Sequence, residues 1–145
     1  MIHIHKTALV PYRSHDMFTL VNDIDAYPRF LPWCKSTTIL SQTSSQIVAT
    51  ITMGGVGLEK SFTTTNVIKT DESIEIHLLE GPFSQLQGRW TFQPLGEEGC
   101  KISLTMEFEI SNQLLRMSLG PIFSKIVNSL VDAFVQRANE LYGKS

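Results

Sequence analysis

The chain has 145 residues, a formal charge of −2 at neutral pH and two cysteines. A chain of that length buries roughly 70% of its extended surface on folding, so it needs no disulfide or metal to hold one ordinary domain together. The near-balanced charge gives no global attraction to nucleic acid or to anionic membranes, and Cys34 and Cys100 stand outside any CxxC or Cys/His ligand spacing.

Met1-Ile-His-Ile-His-Lys6 lacks the charged region and apolar stretch of a signal peptide and reads as the start of a first strand. No run approaches the ~18 apolar residues of a spanning helix, so a cytoplasmic protein is expected. His3 and His5 share one face of that strand, a wet face by this reading, with no third ligand nearby in sequence. Ser14 is the expected N-cap of a short helix, with Asp16 in its first turn and Met17, Phe18 and Val21 as its apolar stripe. Asp25 is placed to cap a second short turn that tolerates Pro28.

Period-two alternation then dominates. Ile47, Ala49, Ile51 and Met53 form one strand, followed by a Gly54-Gly55-Val56-Gly57 turn and a Thr-rich run from Phe62 to Ile68. Asp71-Glu72 turns the chain into Ile74, Ile76 and Leu78, and Leu86, Gly88, Trp90 and Phe92 continue the pattern. After Gly96-Glu97-Glu98-Gly99 comes the cleanest run, with Ile102, Leu104, Met106, Phe108 and Ile110 on one face. The short links predict antiparallel hairpins with one covered face.

Phe123, Ile126, Val127, Leu130, Val131, Phe134, Ala138 and Leu141 recur at helical steps, with Gly143 as terminator. Pro121 stands either at the first helical position or inside a helix that starts near Asn112. Such a helix must bury its stripe against the apolar face of the sheet. A helix is only about 10 Å across, so a sheet of six or seven strands has to curl around it, with glycines such as Gly88 as bending points. The expected fold class is therefore α+β: a curved antiparallel six- to seven-stranded sheet gripping a long C-terminal helix, with short helices after the first strand. One domain spans residues 1–145, and its strong apolar faces are used internally, which predicts a monomer.

No nucleophile-base pair or GxSxG elbow is present, and the interior face reads as almost wholly apolar, so no enzyme activity is expected. Gly54-Gly55-Val56-Gly57 lies between strands and Gly143-Lys144-Ser145 has no helix after it, so neither is a phosphate loop.

The segment Asp23-Ile-Asp-Ala-Tyr-Pro-Arg-Phe-Leu-Pro-Trp-Cys34 carries a resemblance, together with Gly81-Pro82-Phe83, Leu86 to Phe92, and Val131 to Phe134. These residues resemble the coenzyme Q-binding protein family, which includes bacterial ribosome-association toxins and has older cyclase and lipid-transport names. The start at the first strand, without a presequence, resembles the bacterial form. The resemblance implies a START-like helix-grip fold and a tunnel for ubiquinone or a similar polyprenyl lipid, with no other cofactor required. Its walls would be Trp90, Phe92, Leu104, Met106, Phe108, Phe123, Ile126, Val127, Leu130 and Phe134, residues whose other reading is plain core. Tyr27, Phe30, Leu31 and Trp33, with Phe83, would form a rigid lid or the pocket mouth, open to transient membrane contact. The alternative partner is the large ribosomal subunit, for which Lys6, Arg13, Arg29, Lys35, Arg116, Lys125 and Arg137 are the candidate cations.

Overall fold

The computed structural model describes residues 1–54 and 59–143. Its strands are β1 (Ile2–Val10), β2 (Cys34–Gln42), β3 (Gln46–Met53), β4 (Lys60–Lys69), β5 (Ser73–Glu80), β6 (Gln85–Leu95) and β7 (Gly99–Glu109). They form one curved antiparallel sheet in the order β1-β7-β6-β5-β4-β3-β2. Consecutive strands from β2 to β7 pair as hairpins, as their short links require. The exception is β1, which pairs with β7 from Ile2–Phe108 through Val10–Cys100. The chain then crosses to the far edge of the sheet through helix α1 (Ser14–Asn22) and a 3-10 helix (Ile24–Arg29). The proposed turn at residues 55–57 lies outside the described residues.

Strand β2 carries no sequence signal because it is an edge strand on which only Cys34 is buried. Its ladder with β3 shifts register at Cys34/Ser36 and Ile39/Ser41, and β4 shifts against β5 at Thr63/Thr64. Irregularities of this kind increase local twist. The register through Gly88 is unbroken on both sides, so this glycine does not mark a bulge. It makes room instead: a Cβ there would stand 2.7 Å from the Met106 Sδ.

Two turns use backbone near the left-handed helical region. Gly96 has φ +68° between β6 and β7, and Asp71 has φ +64° between β4 and β5. The Asp71 carboxylate also lies 2.8 Å from His15 Nδ1, which ties the start of α1 to that turn.

Helix α2 spans Gln113–Tyr142 with Pro121 inside it. Leu119, Phe123, Ile126, Val127, Val131, Phe134 and Ala138 are buried against the sheet, whereas Leu141 is exposed at the last turn. Ser14 does not cap α1; it is the first helical residue, after an extended Arg13 with no side-chain cap bond. Asp25 likewise falls inside the 3-10 helix rather than before it. The core is one continuous cluster from both faces of this helix-sheet contact. Apolar surface is not all used internally, however: Leu114 and Met117 in the first turns of α2 are 78% and 72% exposed. No helix among the described residues is long and apolar enough to cross a membrane.

The start of α2 has a conventional cap. Asn112 Oδ1 accepts hydrogen bonds from the Leu114 and Leu115 amides at 2.9 and 3.2 Å. Replacing it by alanine leaves those donors to water, and Asn112→Ala is expected to cost about 1 kcal/mol. The check is the urea midpoint, which should fall with no change in the slope of the transition.

Candidate functional site

The helix and the sheet do not close completely on one another. Between them lies a cavity of about 70 Å³. Its helix wall is Phe123, Ile126, Val127, Leu130 and Phe134, which recur every three or four residues and so share one face of α2. Its sheet wall is Ile51 from β3, Phe62, Thr64 and Asn66 from β4, Ile76 from β5, Leu86 and Trp90 from β6, and Met106 from β7. Ile24, Tyr27 and Trp33, from the segment that crosses between the sheet edges, complete it.

Aromatic rings close the cavity at both ends. Phe123 packs against Phe83 and Phe108, each at a centroid distance of 4.8 Å, and Phe62 joins this group at 5.9 Å from Phe83. At the other end Phe134 takes Trp90, Phe30 and Tyr27 edge-on at 5.3, 5.4 and 5.5 Å. Offset and edge-on pairs of this kind are each worth about 0.5–1.5 kcal/mol beyond their buried area. The Arg137 guanidinium lies 5.2 Å over the Phe30 ring and also pairs with Glu140 at 3.2 Å, so Phe30 meets α2 through both Phe134 and Arg137.

The ten proposed wall residues divide. Trp90, Met106, Phe123, Ile126, Val127, Leu130 and Phe134 face the cavity. Phe92, Leu104 and Phe108 are buried but do not line it; Phe92 packs edge-on against Phe18 of α1 at 5.8 Å. Of the proposed mouth, Tyr27 and Trp33 line the cavity, Phe30 is half-buried beside it, and Leu31 and Phe83 are buried in the core.

The interior is not as apolar as the sequence reading held. Thr64 and Asn66, at 3% and 9% exposure, face inward between Phe62 and Ile68 and are joined by a hydrogen bond of 2.9 Å from Thr64 Oγ1 to Asn66 Oδ1. Along β4 the Thr-rich run reads equally well with either face inside, and Thr63 is buried beside Thr64, so the sequence carries no clean signal for this face.

Among the described residues Tyr27 is the one ionisable side chain on the cavity wall, and its hydroxyl donates to the Val21 carbonyl. Burial raises its pKa well above the ordinary phenol range, with smaller contributions from Cys34 and Asp23. Burial also pushes the Cys34 thiol up to about 11, and raises Cys100 against a smaller opposing effect of the nearby Ser14 hydroxyl. Thiols held protonated at neutral pH are poor nucleophiles and poor metal ligands. The histidines are all on the surface: His3 lies 3.5 Å from Glu107, His77 lies 3.4 Å from Glu75, and His5 bonds Thr105 at 2.9 Å. No group of three potential metal ligands occurs among the described residues.

An antiparallel sheet wrapped on one long helix over an apolar cavity defines a helix-grip, START-like protein. The chain belongs to the family described as polyketide cyclase / dehydrase and lipid transport, whose pattern it matches over residues 10–135. It is 45% identical to a Pseudomonas aeruginosa protein named ribosome association toxin RatA, over 97% of this chain and 98% of that one. It is 25% identical to the Drosophila melanogaster protein named mitochondrial coenzyme Q-binding protein COQ10, over 95% of this chain and 59% of that one. The crystal structure of the Zhui aromatase/cyclase from Streptomyces superposes with a TM-score of 0.84, over 95% of this chain and 93% of that one. At 17% identity that likeness speaks for the fold alone.

The raised thiol and phenol pKa values have a consequence for stability. The folded Cys34 holds its proton up to about 11, whereas the unfolded thiol ionises near its ordinary 9.0. Stability is therefore fully present below about pH 9 and is lost as the pH rises toward 11. Denaturant midpoints recorded across this range should fall, and Cys34→Ser should flatten the decline.

Proposed function

We propose that the protein is a non-catalytic cytoplasmic domain that associates with the large ribosomal subunit and impedes subunit joining. The observation that carries this reading is the 45% identity, over nearly the full length of both chains, to the Pseudomonas protein named for ribosome association. With a net charge of −2, such an association has to rest on local cations rather than a global field. Of the candidates, Arg13 is paired with Asp16 at 3.4 Å, Lys35 with Glu59 at 2.9 Å and Arg137 with Glu140 at 3.2 Å. Arg116 Nε donates to the Ile110 carbonyl at 3.1 Å. Lys6, Arg29 and Lys125 are exposed and have no ion-pair partner among the described residues, so of the seven candidates they are the ones available to phosphate.

Contacts to phosphate release counterions and weaken steeply with salt. The protein is expected to cosediment with large subunits at about 50 mM salt and to lose most of that binding at about 200 mM. Joint Lys6→Glu, Arg29→Glu and Lys125→Glu substitution should weaken pelleting at least about tenfold. Failure to pellet even at low salt would remove the reading.

A second reading concerns the interior and is compatible with the first: a neutral lipid, such as a polyprenyl quinone, inserts between α2 and the sheet. The apolar lining favours it, and each buried methylene-sized group contributes about 0.8 kcal/mol. Pockets that enclose small ligands are typically about 300–1,000 Å³, so uptake requires α2 or the 3-10 helix to move outward from the 70 Å³ arrangement. Organic extraction and native mass spectrometry of gently purified protein should find a quinone or lipid near one equivalent. Leu130 is half-buried on the cavity wall, so Leu130→Trp should fill the space and abolish uptake without leaving a buried charge. A folded Leu130→Trp variant that still carries lipid would place the ligand elsewhere.

A further inference from the structure

Asn66 is the polar side chain on the cavity wall with the most unused hydrogen-bonding capacity. A primary amide offers two donors and two acceptor lone pairs. The Thr64 hydroxyl meets one of these, through the 2.9 Å bond to Oδ1. Among the described residues no protein acceptor meets the amide nitrogen, although the residue is only 9% exposed and faces the cavity. The nitrogen is not among the fully enclosed unpaired polar atoms of the described residues, so it keeps accessible surface on the cavity wall. Inward neighbours on β4 such as Phe62 and Ile68 are apolar, so the amide stands out on this face.

The surroundings state what the amide faces. Asn66, Ile76, Gly88 and Met106 stand in one cross-strand row through β4, β5, β6 and β7. The row is lowest at Gly88, two strand spacings or about 9.5 Å from Asn66, and the Met106 thioether lies over that gap. Methionine is the side chain best able to move aside for a guest. Two residues along β6, Trp90 supplies an aromatic wall. Among the described residues no carboxylate, ammonium, guanidinium or imidazole lines the cavity, so a charged headgroup would be desolvated there without a counter-ion from them.

We infer that Asn66, held in place by Thr64, is the recognition point of the cavity, and that it donates a hydrogen bond to a neutral carbonyl or ether oxygen on an otherwise apolar ligand. The inference rests on the second reading above, that the cavity admits a ligand. It assigns the ligand class as neutral and oxygen-bearing, and excludes carboxylates and phosphates from this point.

The test uses one-ring probes of matched size: acetophenone, ethylbenzene and benzoate, titrated into the full-length protein with a ¹⁵N-labelled backbone and side chains. Acetophenone should shift the Asn66 side-chain amide resonance, and ethylbenzene should shift cavity-lining backbone resonances without that change. Asn66→Leu should weaken acetophenone by about three- to tenfold, the worth of one hydrogen bond, while ethylbenzene stays within about twofold. Thr64→Val, which keeps the branched shape, should produce a smaller loss in the same direction. Benzoate should not bind at the cavity. Acetophenone binding that leaves the Asn66 amide resonance unmoved, or that loses no affinity in Asn66→Leu, overturns the assignment while the cavity reading stands. If neither neutral probe binds the native protein, the cavity reading and the assignment fall together.

Discussion

The structure turns on two phenylalanines on one face of one helix. Phe123 and Phe134 are 11 residues apart in sequence, which places them about 16 Å apart along α2. Each is the hub of an aromatic group drawn from separate parts of the chain: Phe62, Phe83 and Phe108 at one end, Tyr27, Phe30 and Trp90 at the other. Truncating a buried phenylalanine costs about 3–5 kcal/mol, a large part of the net stability of a domain this size. Bulky rings at both ends hold helix and sheet apart, and the smaller Ile126, Val127 and Leu130 between them do not fill the space that results. The cavity is thus a consequence of where α2 places its largest side chains, and the same contacts that stabilise the fold keep it from closing.

The same geometry explains why the crossing segment matters. Tyr27, Phe30 and Trp33 follow from the order in which the strands are paired, because the chain must leave β1 at one edge and enter β2 at the other. In doing so it passes the Phe134 end of the helix. Tyr27 bonds the Val21 carbonyl, Phe30 contacts Phe134 and Arg137, and Thr37 Oγ1 donates to the Ile24 carbonyl at 3.2 Å. These are few polar ties for a segment of this length. Most of its attachment is apolar contact, from these rings and from the buried Ile24, Ala26 and Leu31.

Strong periodicity made most of this legible in the sequence. β3, β6 and β7 alternate cleanly because each has one buried face, and the α2 stripe is long enough to leave no competing reading. β2 gave no such signal, since an edge strand with one buried residue has no apolar face to display. Seven of the ten wall residues proposed from the sequence face the cavity, but periodicity marks only which face is inside. It cannot separate Trp90 from Phe92, both inward on β6, because that depends on which of them lies under α2 and which under α1. Thr64 and Asn66 were missed for the opposite reason: polar residues on the inner face break the very rule by which inner faces are recognised.

An interior cavity and an exterior partner surface need not be separate matters in this fold. Helix α2 lines the cavity with one face and carries Lys125 on the other, one residue from the buried Ile126. A guest too large for about 70 Å³ must displace either this helix or the crossing segment that carries Arg29. Both of those elements therefore hold a cation that is free among the described residues as well as a wall of the cavity. A ligand that binds the opened arrangement better than the closed one shifts the population of both by its differential affinity, and a partner that reads either surface is subject to the same linkage. Coupling is reciprocal by thermodynamic necessity, so a ribosome-bound form and a lipid-bound form of one chain would each alter the affinity for the other's partner unless the moving element lies outside the contact surface.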